Sequence, residues 1–334
     1  MPSAHRSRRV EAVQLHQALA PVERDLQAVS SRLLSQLADP IARKVVYLVT
    51  AGGKRLRPAL VLLTGAVGPS PDRPALIDTA TSVELIHTAT LIHDDIIDQA
   101  TMRRARPSFH QRWGTERALL MGDYLYSTAF TMLSRLEQPA VIQVLADVCQ
   151  QLCRGELREV EARFRLDLTE AEYFAIIQEK TASLTGGCCR SGAILSGCSA
   201  TQVEQLAAFG QNFGVAFQII DDCLDLIGDQ RQLGKSILAD LDKGALSLPI
   251  IYLAQQLSAK ARNALFAPLR RHANDPAFLR RVAKAAKESG AVAKAQARAA
   301  GFIRRAEASV HGIEMNGLRI AYESLTDYAI YRQG

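Results

Sequence analysis

The sequence predicts an all-α protein, a helical bundle that takes in the whole chain, residues 1–334. Apolar residues recur at intervals of three and four along most of the 334 residues, which is the spacing of a helix with one buried face. Alternating patterns bounded by hairpin turns, which are typical of strands, do not occur. No low-complexity linker and no repeat divides the chain, so we expect a single domain.

The predicted helices begin near the N-terminal end. The first pattern covers residues 10–37, with Pro21 at a break or in a first turn. The second covers 58–68, beginning near Pro58 and ending at a glycine. Residues 74–98 are apolar on nearly every side, which predicts a helix at the centre of the bundle. Further helices are expected over residues 115–136, 139–163, 170–197, 201–227, 245–257, 276–288 and 291–310. Polar loops are expected over residues 64–75, 99–114 and 228–244.

The composition is that of an ordinary globular protein. Hydrophobic residues make up 48% of the chain and charged residues 22%, so a large core can form. No apolar run reaches the roughly 18 uncharged residues that a membrane span needs. Residues 1–10 are basic and lack the apolar stretch of a secretory signal, so we expect a disordered tail there. The six cysteines lack zinc-finger or disulfide spacing, which favours a cytoplasmic protein with reduced thiols.

The net charge of +6 is concentrated towards the C-terminal end. Between Lys260 and Arg305 the chain has twelve lysines and arginines against two acids, Asp275 and Glu288. One interpretation of this 260–305 segment is a solvated helical face. The other is weak association with an anionic membrane surface. Nucleic acid is not an expected partner, because the segment has few aromatic residues to stack on bases and no recognition motif.

Three aspartates stand together at the end of the predicted central helix. Asp94, Asp95 and Asp98 have the spacing i, i+1, i+4, which places the first and the last on one face, a turn apart. Carboxylates placed in this way repel each other, so a nearby cation is expected. By itself, this first cluster could equally be a solvated helix end.

The same spacing recurs in Asp221, Asp222 and Asp225, again directly after an apolar run. If the two helices face each other, the six carboxylates line one cavity, and their repulsion raises pKa values or requires cations. Hard oxygen ligands in this number suit Mg²⁺, which completes its coordination shell with water and substrate phosphates. The two clusters therefore predict a site where metal ions hold a diphosphate or a similar polyanion.

Basic residues accompany both clusters. The stretch AGGKRLRP places three cations directly after a pair of glycines, which let a ligand approach the backbone closely: Gly52, Gly53, Lys54, Arg55 and Arg57. The stretch lacks the spacing of a nucleotide P-loop, which disfavours ATP or GTP as ligands. Further cations near the clusters are Arg103, Arg104, Lys180 and Lys235. Together they predict a pocket for two polyanions, one held through metal ions and one through direct basic contacts.

Six stretches resemble, in sequence and in order, those of trans-type isoprenyl (polyprenyl) diphosphate synthases: GGKRLRP, ELIHTATLIHDDIIDQATMRR, WGTERALLMGDYLYSTAF, EKTASL, GVAFQIIDDCLDLIGD and LGKSILADL. The similarity runs from about residue 45 to 257 and is looser beyond. HTATLIHDD and GALSLP resemble the medium- and long-chain branch. The resemblance implies an all-α bundle around a deep central cavity, assembled as a homodimer. It also implies Mg²⁺ as the cofactor, with three ions per active site.

The implied reaction is the head-to-tail condensation of isopentenyl diphosphate with an allylic diphosphate. The allylic C–O bond would ionise, the double bond of isopentenyl diphosphate would attack the carbocation, and elimination would follow. Fixed cations and metal ions would stabilise the leaving diphosphate, and exclusion of water would protect the carbocation. The departing diphosphate would take the final proton, so no side-chain base is required.

The resemblance also implies the roles of individual residues. Direct Mg²⁺ ligands would be Asp94, Asp98 and Asp221, while Asp95, Asp222 and Asp225 would act nearby or through metal-bound water. Besides the ions, the residues that hold the allylic diphosphate would be Arg103, Lys180, Gln218 and Lys235, with Thr181 beside them. Those that contact isopentenyl diphosphate would be Lys54, Arg57, His87 and Arg104, near Gly53. Taken alone, His87 would be assigned to the core.

Three positions depart from the family pattern. Ala105 follows the arginine pair where glycine is usual, Glu159 stands where glutamine is common, and Ala245 where a lysine is often found. None of the three removes an implied metal ligand.

Product length depends, by the same resemblance, on the residues just before the first cluster. Ala89 and Thr90 precede Asp94 by five and four residues, and both are small where short-chain members tend to carry aromatic residues. The growing chain would pass them, which predicts a product longer than farnesyl diphosphate. A geranylgeranyl or farnesyl diphosphate synthase is the alternative. A lower floor of the tunnel could come from Met121, Tyr124, Leu125 or Tyr126.

Alternatives of other classes are less well supported by the motifs. A class I terpene cyclase shares the first cluster, but usually replaces the second by an Asn/Ser/Glu pattern, whereas this chain has DDCLD. A non-catalytic subunit of a heteromeric synthase would be expected to lose aspartates, and this chain keeps both clusters. Head-to-head synthases do not need the GGKRLRP stretch.

Overall fold

A computed structural model describes residues 13–50, 52–227, 239–269 and 276–332. Within these ranges the chain is helical, apart from turns, loops and one short antiparallel pair of strands, which confirms the predicted all-α class. None of the described helices is long and apolar enough to cross a membrane. The predicted tail at residues 1–10 and Lys235 lie outside the described residues.

The N-terminal half begins with a helical stretch over residues 13–19, which leads into a short 3₁₀ turn at Ala20–Val22. The elements after this turn are numbered from α1. They are α1 (Glu23–Gln36), α2 (Arg43–Val49), α3 (Leu56–Gly65), α4 (Arg73–Ile97), β1 (Met102–Arg103), β2 (Arg106–Pro107), α5 (Phe109–Trp113), α6 (Thr115–Ser134) and α7 (Pro139–Ala162). Those of the C-terminal half are α8 (Glu170–Ile177), a π-helical turn (Gln178–Ala182), α9 (Ser183–Leu195), α10 (Ala200–Ile227), α11 (Ala239–Asp242), α12 (Leu248–Gln256), α13 (Ala259–Phe266), α14 (Pro276–Glu288), α15 (Ala291–Ser309) and α16 (Arg319–Tyr331).

Helix α4 lies at the centre of the N-terminal half, as its apolar pattern predicts. Asp72 caps it by accepting a hydrogen bond from the Ala75 amide at 3.1 Å, and Pro74 occupies its first turn. Residues 79–86 are all buried, because α1, α3, α6 and α9 pack around the helix. The first aspartate cluster therefore lies at the C-terminal end of a central helix that is held by its neighbours on several sides.

Helix α10 has the corresponding position in the C-terminal half and packs against α9, α15 and α16. Helix α9 connects the two halves, because it also packs against α3 and α7. Glycines permit these close crossings: a Cβ on Gly192 would lie 2.2 Å from Thr64 Oγ1, and one on Gly210 would lie 2.4 Å from the Thr185 carbonyl. The π-helical turn lies between α7 and α10.

The structure corrects several predicted boundaries. Helices α2, α11, α13 and α16 have no counterpart among the predicted elements, and α11 falls within the predicted loop at 228–244. Helices α2, α11 and α13 are short and contribute few apolar repeats. The predicted helix at 170–197 is interrupted by the π-helical turn. The predicted loop at 99–114 contains the strand pair and α5, which return the chain from α4 to α6.

Candidate active site

The first aspartate cluster is tied down by cationic side chains. Asp95 is fully buried, and Arg103 Nε donates to its Oδ1 at 2.8 Å. The same guanidinium lies 3.9 Å from Asp94 Oδ2. Burial raises the pKa of Asp95, and Arg103 opposes that rise. The strand pair that follows α4 turns the chain back, so that Arg103 contacts the C-terminal end of α4.

Lys180 stands at the centre of a group of acids. Its ammonium lies 3.4 Å from Asp94 and 2.8 Å from Glu156, and it also contacts Glu159. Burial raises the pKa of Glu156 to about 7 and raises that of Glu159 as well. Burial also acts to raise the pKa of Asp94, but Lys180, Glu156 and Arg103 together lower it below its usual range. The three acids outweigh burial at the lysine and raise the pKa of Lys180.

The π-helical turn joins the two clusters. Thr181, the residue after Lys180, donates to Gln218 Oε1 at 2.9 Å, and Gln218 donates to Asp222 at 2.8 Å. Tyr173 donates to the other Asp222 oxygen at 2.6 Å. Burial raises the pKa of Asp222 well above its usual value, against the effect of these hydrogen bonds. Consecutive residues of one turn thus reach the first cluster and the helix of the second.

Asp221, in the second cluster, is more open than Asp222, with 46% of its side chain exposed. Its Oδ1 lies 2.8 Å from Arg332 Nη2, and Asp225 follows it by one helical turn. Arg332 is itself buried, lies over the Phe217 ring at 3.4 Å and donates to the Phe217 carbonyl at 2.5 Å. The residue directly after the C-terminal helix α16 therefore places a cation at the second cluster.

The donor set suits a hard cation, since both clusters offer carboxylate oxygens. Asp95 Oδ2 is in addition buried without a hydrogen-bond partner. Across the described ranges, however, no three His, Cys, Asp or Glu side chains converge in the geometry of a metal site. Several of the carboxylates face protein cations instead, as the contacts of Asp94, Asp95 and Asp221 show.

The glycine pair before α3 forms the base of a second basic group. Arg104 donates to the Gly52 carbonyl, and a Cβ on Gly53 would lie 3.0 Å from Arg104 Nη1. Gly53 also has a φ of +153°, which favours glycine. The backbone conformation of Gly53, together with the closely packed Arg104, explains why the chain has glycine here.

Arg57 and His87 form a pair beside this loop, with Arg57 Nη1 3.1 Å from His87 Nε2. Because a guanidinium can only donate, Nε2 must accept and His87 is neutral in this pair. Burial and then the positive charges of Arg57 and Arg104 lower the pKa of His87 well below its usual value.

The other two cations of the AGGKRLRP stretch have different surroundings. Lys54 lies over the ring of Tyr328 at 5.0 Å. Arg55 points into the protein, where it pairs with the buried Glu84 and donates to the Val49 carbonyl at 2.9 Å. Arg55 therefore anchors the loop and is not directed at a ligand, although the sequence pattern suggested a phosphate for all three cations.

The two residues implied in product length differ in environment. Ala89 is fully buried, whereas Thr90 is partly buried and donates to the His87 carbonyl at 2.7 Å. Thr90 stands four residues before Asp94, so both lie on one face of α4. Of the possible lower-floor residues, Met121 and Leu125 are buried. Burial raises the pKa of Tyr126, and nearby groups, Asp94 among them, add to that rise.

Several residues of this site did not emerge from the sequence. Glu156 has no recognisable signal beyond its spacing of three from Glu159, which places both acids on one face of α7. Tyr173 and Arg332 could not be found, because nothing in the chain indicates that α8 and α16 reach the second cluster. The site also includes Arg163 and Lys243, which both contact Asp98.

Comparison with known proteins agrees with this geometry. The family model described as polyprenyl synthetase matches residues 39–286. The chain is 34% identical to heptaprenyl diphosphate synthase component 2 of Geobacillus stearothermophilus, over 94% of each protein. It is 34% identical to nonaprenyl diphosphate synthase of Mycobacterium tuberculosis, covering 90% of this chain and 89% of the relative.

A solved structure is also similar along nearly its full length. The polyprenyl synthase of Caulobacter crescentus, solved with calcium and isoprenyl diphosphate, superimposes with a TM-score of 0.91 at 29% identity. The match covers 96% of this chain and 98% of that one. The names of the two relatives confirm the predicted likeness to medium- and long-chain members. The extent of these matches and the arrangement of both aspartate clusters show that the chain belongs to the polyprenyl synthetase family.

Proposed function

We propose that this protein condenses isopentenyl diphosphate with an allylic diphosphate, head to tail, and repeats the step to give a polyprenyl diphosphate. The observation that carries the proposal is the pair of contacts made by consecutive residues of the π-helical turn. Lys180 lies 3.4 Å from Asp94, and Thr181 donates to Gln218, one turn before Asp222. Both clusters and a charged lysine thus share one site, as the ionisation of an allylic diphosphate requires.

Charge assigns the two substrates to two regions of this site. Arg103 and Lys180 stand among the aspartates, where they would bind the allylic diphosphate and stabilise it as it leaves. Arg57, His87 and Arg104 form a second basic group beside the glycine pair, where isopentenyl diphosphate would bind without metal. Mg²⁺ held by Asp94, Asp98 and Asp221 would supply positive charge to the leaving diphosphate. We also propose that three Mg²⁺ ions bind in each active site.

The test is diphosphate release by the purified chain with Mg²⁺, isopentenyl diphosphate and one of several allylic primers. We expect release only when both substrates are present, since ionisation without an acceptor does not lead to condensation. Asp94→Asn should reduce the turnover by at least two orders of magnitude while the far-ultraviolet circular dichroism is unchanged. A folded Asp94→Asn protein with full turnover would contradict the proposal.

The product is proposed to be longer than farnesyl diphosphate, because Thr90 is a small side chain on the face of α4 that carries Asp94. A second copy of this chain is the proposed partner in assembly. Helix α6 exposes Leu119, Leu120 and Tyr124 by 52%, 66% and 37%, a face that a homodimer would cover. Light scattering of the wild type and of Leu120→Glu tests this, and a monomeric wild type would refute it.

The name of the Geobacillus stearothermophilus relative, component 2, makes a heteromeric assembly the second possibility. Condensation by the purified chain alone distinguishes the two, because a chain that needs a different subunit would be inactive by itself.

Weak association with an anionic membrane surface is also proposed, and the exposed face of α14 supports it. Arg280, Arg281, Lys284 and Lys287 are all exposed there, and their spacing places them on one side of the helix. Co-sedimentation with phosphatidylglycerol vesicles, but not with phosphatidylcholine vesicles, is expected. Equal recovery with both vesicles would exclude a charge-driven contact.

A further inference from the structure

Two cations that the sequence motifs do not include meet at Asp98, the last residue of the first cluster. Arg163 Nη2 lies 2.7 Å from Asp98 Oδ1, and Lys243 Nζ lies 3.0 Å from Asp98 Oδ2. The side chains of Asp98, Arg163 and Lys243 are only 18%, 22% and 28% exposed. Each oxygen of this carboxylate therefore has its own cation in a largely enclosed setting.

The fold builds this arrangement by joining two distant segments. The amide of Phe164 donates to the Gly244 carbonyl at 2.8 Å, so that Arg163 and Lys243 emerge side by side. Gly244 has a φ of +82°, and a Cβ there would lie 2.7 Å from the Phe164 ring. The turn after α11 closes through the amides of Lys243 and Ala245, which both donate to the Asp240 carbonyl, at 3.1 and 3.0 Å.

The balance of charge differs between the two ends of the first cluster. At Asp94 two cations, Lys180 and Arg103, face three acids. At Asp98 two cations contact a single carboxylate. One of these two cations is enough to neutralise Asp98, which leaves the other available to an anionic ligand. Asp242 is a further acid close enough to interact with Lys243. Arg163 Nε is in addition buried without an acceptor among the described residues. A largely enclosed cation beyond the one that Asp98 needs, beside the proposed allylic site, suits an anionic group of the substrate.

We propose that Lys243 binds the diphosphate of the allylic substrate, and that Arg163 positions Asp98 beside it. This inference rests on the proposed function. The family pattern often has a lysine at position 245, where this chain has Ala245. Lys243, two residues earlier in the same turn, reaches the first cluster and supplies the missing positive charge. When the substrate binds, its diphosphate oxygens accept from Lys243, while Arg163 keeps its contact with Asp98.

The test compares Lys243→Met and Lys243→Arg with Lys44→Met, which removes the same charge from an exposed position on α2. Lys243→Met should raise the KM for the allylic primer by about tenfold to a hundredfold, the value of a charged hydrogen bond. The KM for isopentenyl diphosphate should change less than about twofold. Lys243→Arg should restore most of the loss, and Lys44→Met should behave as the wild type.

A second readout does not depend on turnover. Inorganic diphosphate with Mg²⁺ should raise the melting temperature of the wild type, and the rise should be smaller in Lys243→Met than in Lys44→Met. An unchanged primer KM together with an unchanged diphosphate-induced rise would overturn the role of Lys243. So would a Lys243→Met protein that needs less Mg²⁺ but binds primer normally, because Lys243 would then only compete for Asp98. A wild type without turnover on any primer would instead refute the proposed function, whatever the melting data.

Discussion

Ala105 occupies a backbone conformation that favours glycine. It follows the two arginines of the first cluster with a φ of +58°, in the left-handed region where a Cβ costs roughly 1–2 kcal/mol. Its side chain is exposed, so that it contributes little packing. The absence of the glycine usual at this position is therefore a local strain, while Arg103 and Arg104 keep their contacts with Asp95 and the Gly52 carbonyl.

Ala105→Gly should accordingly stabilise the protein by about 1 kcal/mol, since glycine removes the strain at a small entropic cost. The free energy of unfolding in urea measures this change. The matched control is Ala297→Gly at an exposed position within α15, which should lose about 1 kcal/mol. Equal losses in both variants would contradict the assignment of strain.

His87 gives the protein a predictable dependence on pH. Its folded-state pKa is lowered by burial and by Arg57, Arg104, Arg103 and Arg55. Below about pH 6.5 the unfolded chain takes up a proton at this position that the folded chain does not bind. Stability is therefore retained above that pH and lost as the pH falls, by at most about 1.4 kcal/mol per unit.

His87→Gln should remove this contribution. When the pH is lowered from 6 to 5, the unfolding free energy of the wild type should fall by about 1 kcal/mol more than that of His87→Gln. Chemical denaturation at both pH values provides the measurement. If both proteins lose stability in parallel, His87 is protonated in the folded state and the direction of its pKa shift is wrong.

Thr90 is the residue at which product length should be most easily changed. Thr90→Phe places a large ring on the face of α4 that carries Asp94, and the products should become shorter because the growing chain meets an obstruction. Thr90→Val, which keeps the size, should leave the length unaltered. Chromatography of the dephosphorylated products measures both, and unchanged lengths in Thr90→Phe would place the tunnel elsewhere.

At the scale of elements, the π-helical turn depends on one glycine of α7. A Cβ on Gly155 would lie 2.4 Å from the Lys180 backbone nitrogen, so helix and turn are in backbone contact. π-Helical turns occur frequently at functional sites, and this one directs Lys180 to the first cluster and Thr181 to the second. The close approach is what allows Glu156 and Glu159 to reach Lys180.

Gly155→Ala should therefore displace the turn, destabilise the fold by about 1–3 kcal/mol and weaken primer binding. The matched control is Gly301→Ala in α15, where the nearest atom to a new Cβ is the end of Arg304 at 3.7 Å. That variant should be neutral or stabilised by up to about 1 kcal/mol. Calorimetry and the primer KM are the measurements, and a Gly155→Ala protein like the control would exclude the backbone contact.

The elements also show how far sequence patterns lead. The pattern of residues 74–98 predicts α4 correctly. A helix of that length that is apolar on nearly every side has to be buried, whichever elements pack against it. The pattern of residues 170–197 does not predict the π-helical turn, since its apolar spacing continues without a break. The turn lies where the chain packs against Gly155. The sequence patterns also do not indicate α16. Arg332, the residue after that helix, reaches the second cluster only through the tertiary structure.

At the scale of the whole molecule, spacing indicated the two aspartate clusters and the cations near them, but not which cation pairs with which acid. The repeated aspartate spacing was sufficient to predict a polyanion site, because repulsion between carboxylates needs compensation. The ion pairs Arg55–Glu84 and Lys243–Asp98 are formed by residues far apart in sequence. No periodicity encodes such pairs. The single domain over residues 1–334 remains a prediction.

The most direct test of the whole account uses the purified chain alone, with Mg²⁺, labelled isopentenyl diphosphate and farnesyl diphosphate as the primer. Sizing the extracted products by chromatography is the measurement. We predict that the label enters products longer than farnesyl diphosphate by several isoprene units. A folded, monodisperse protein that incorporates no label with any allylic primer would contradict the account.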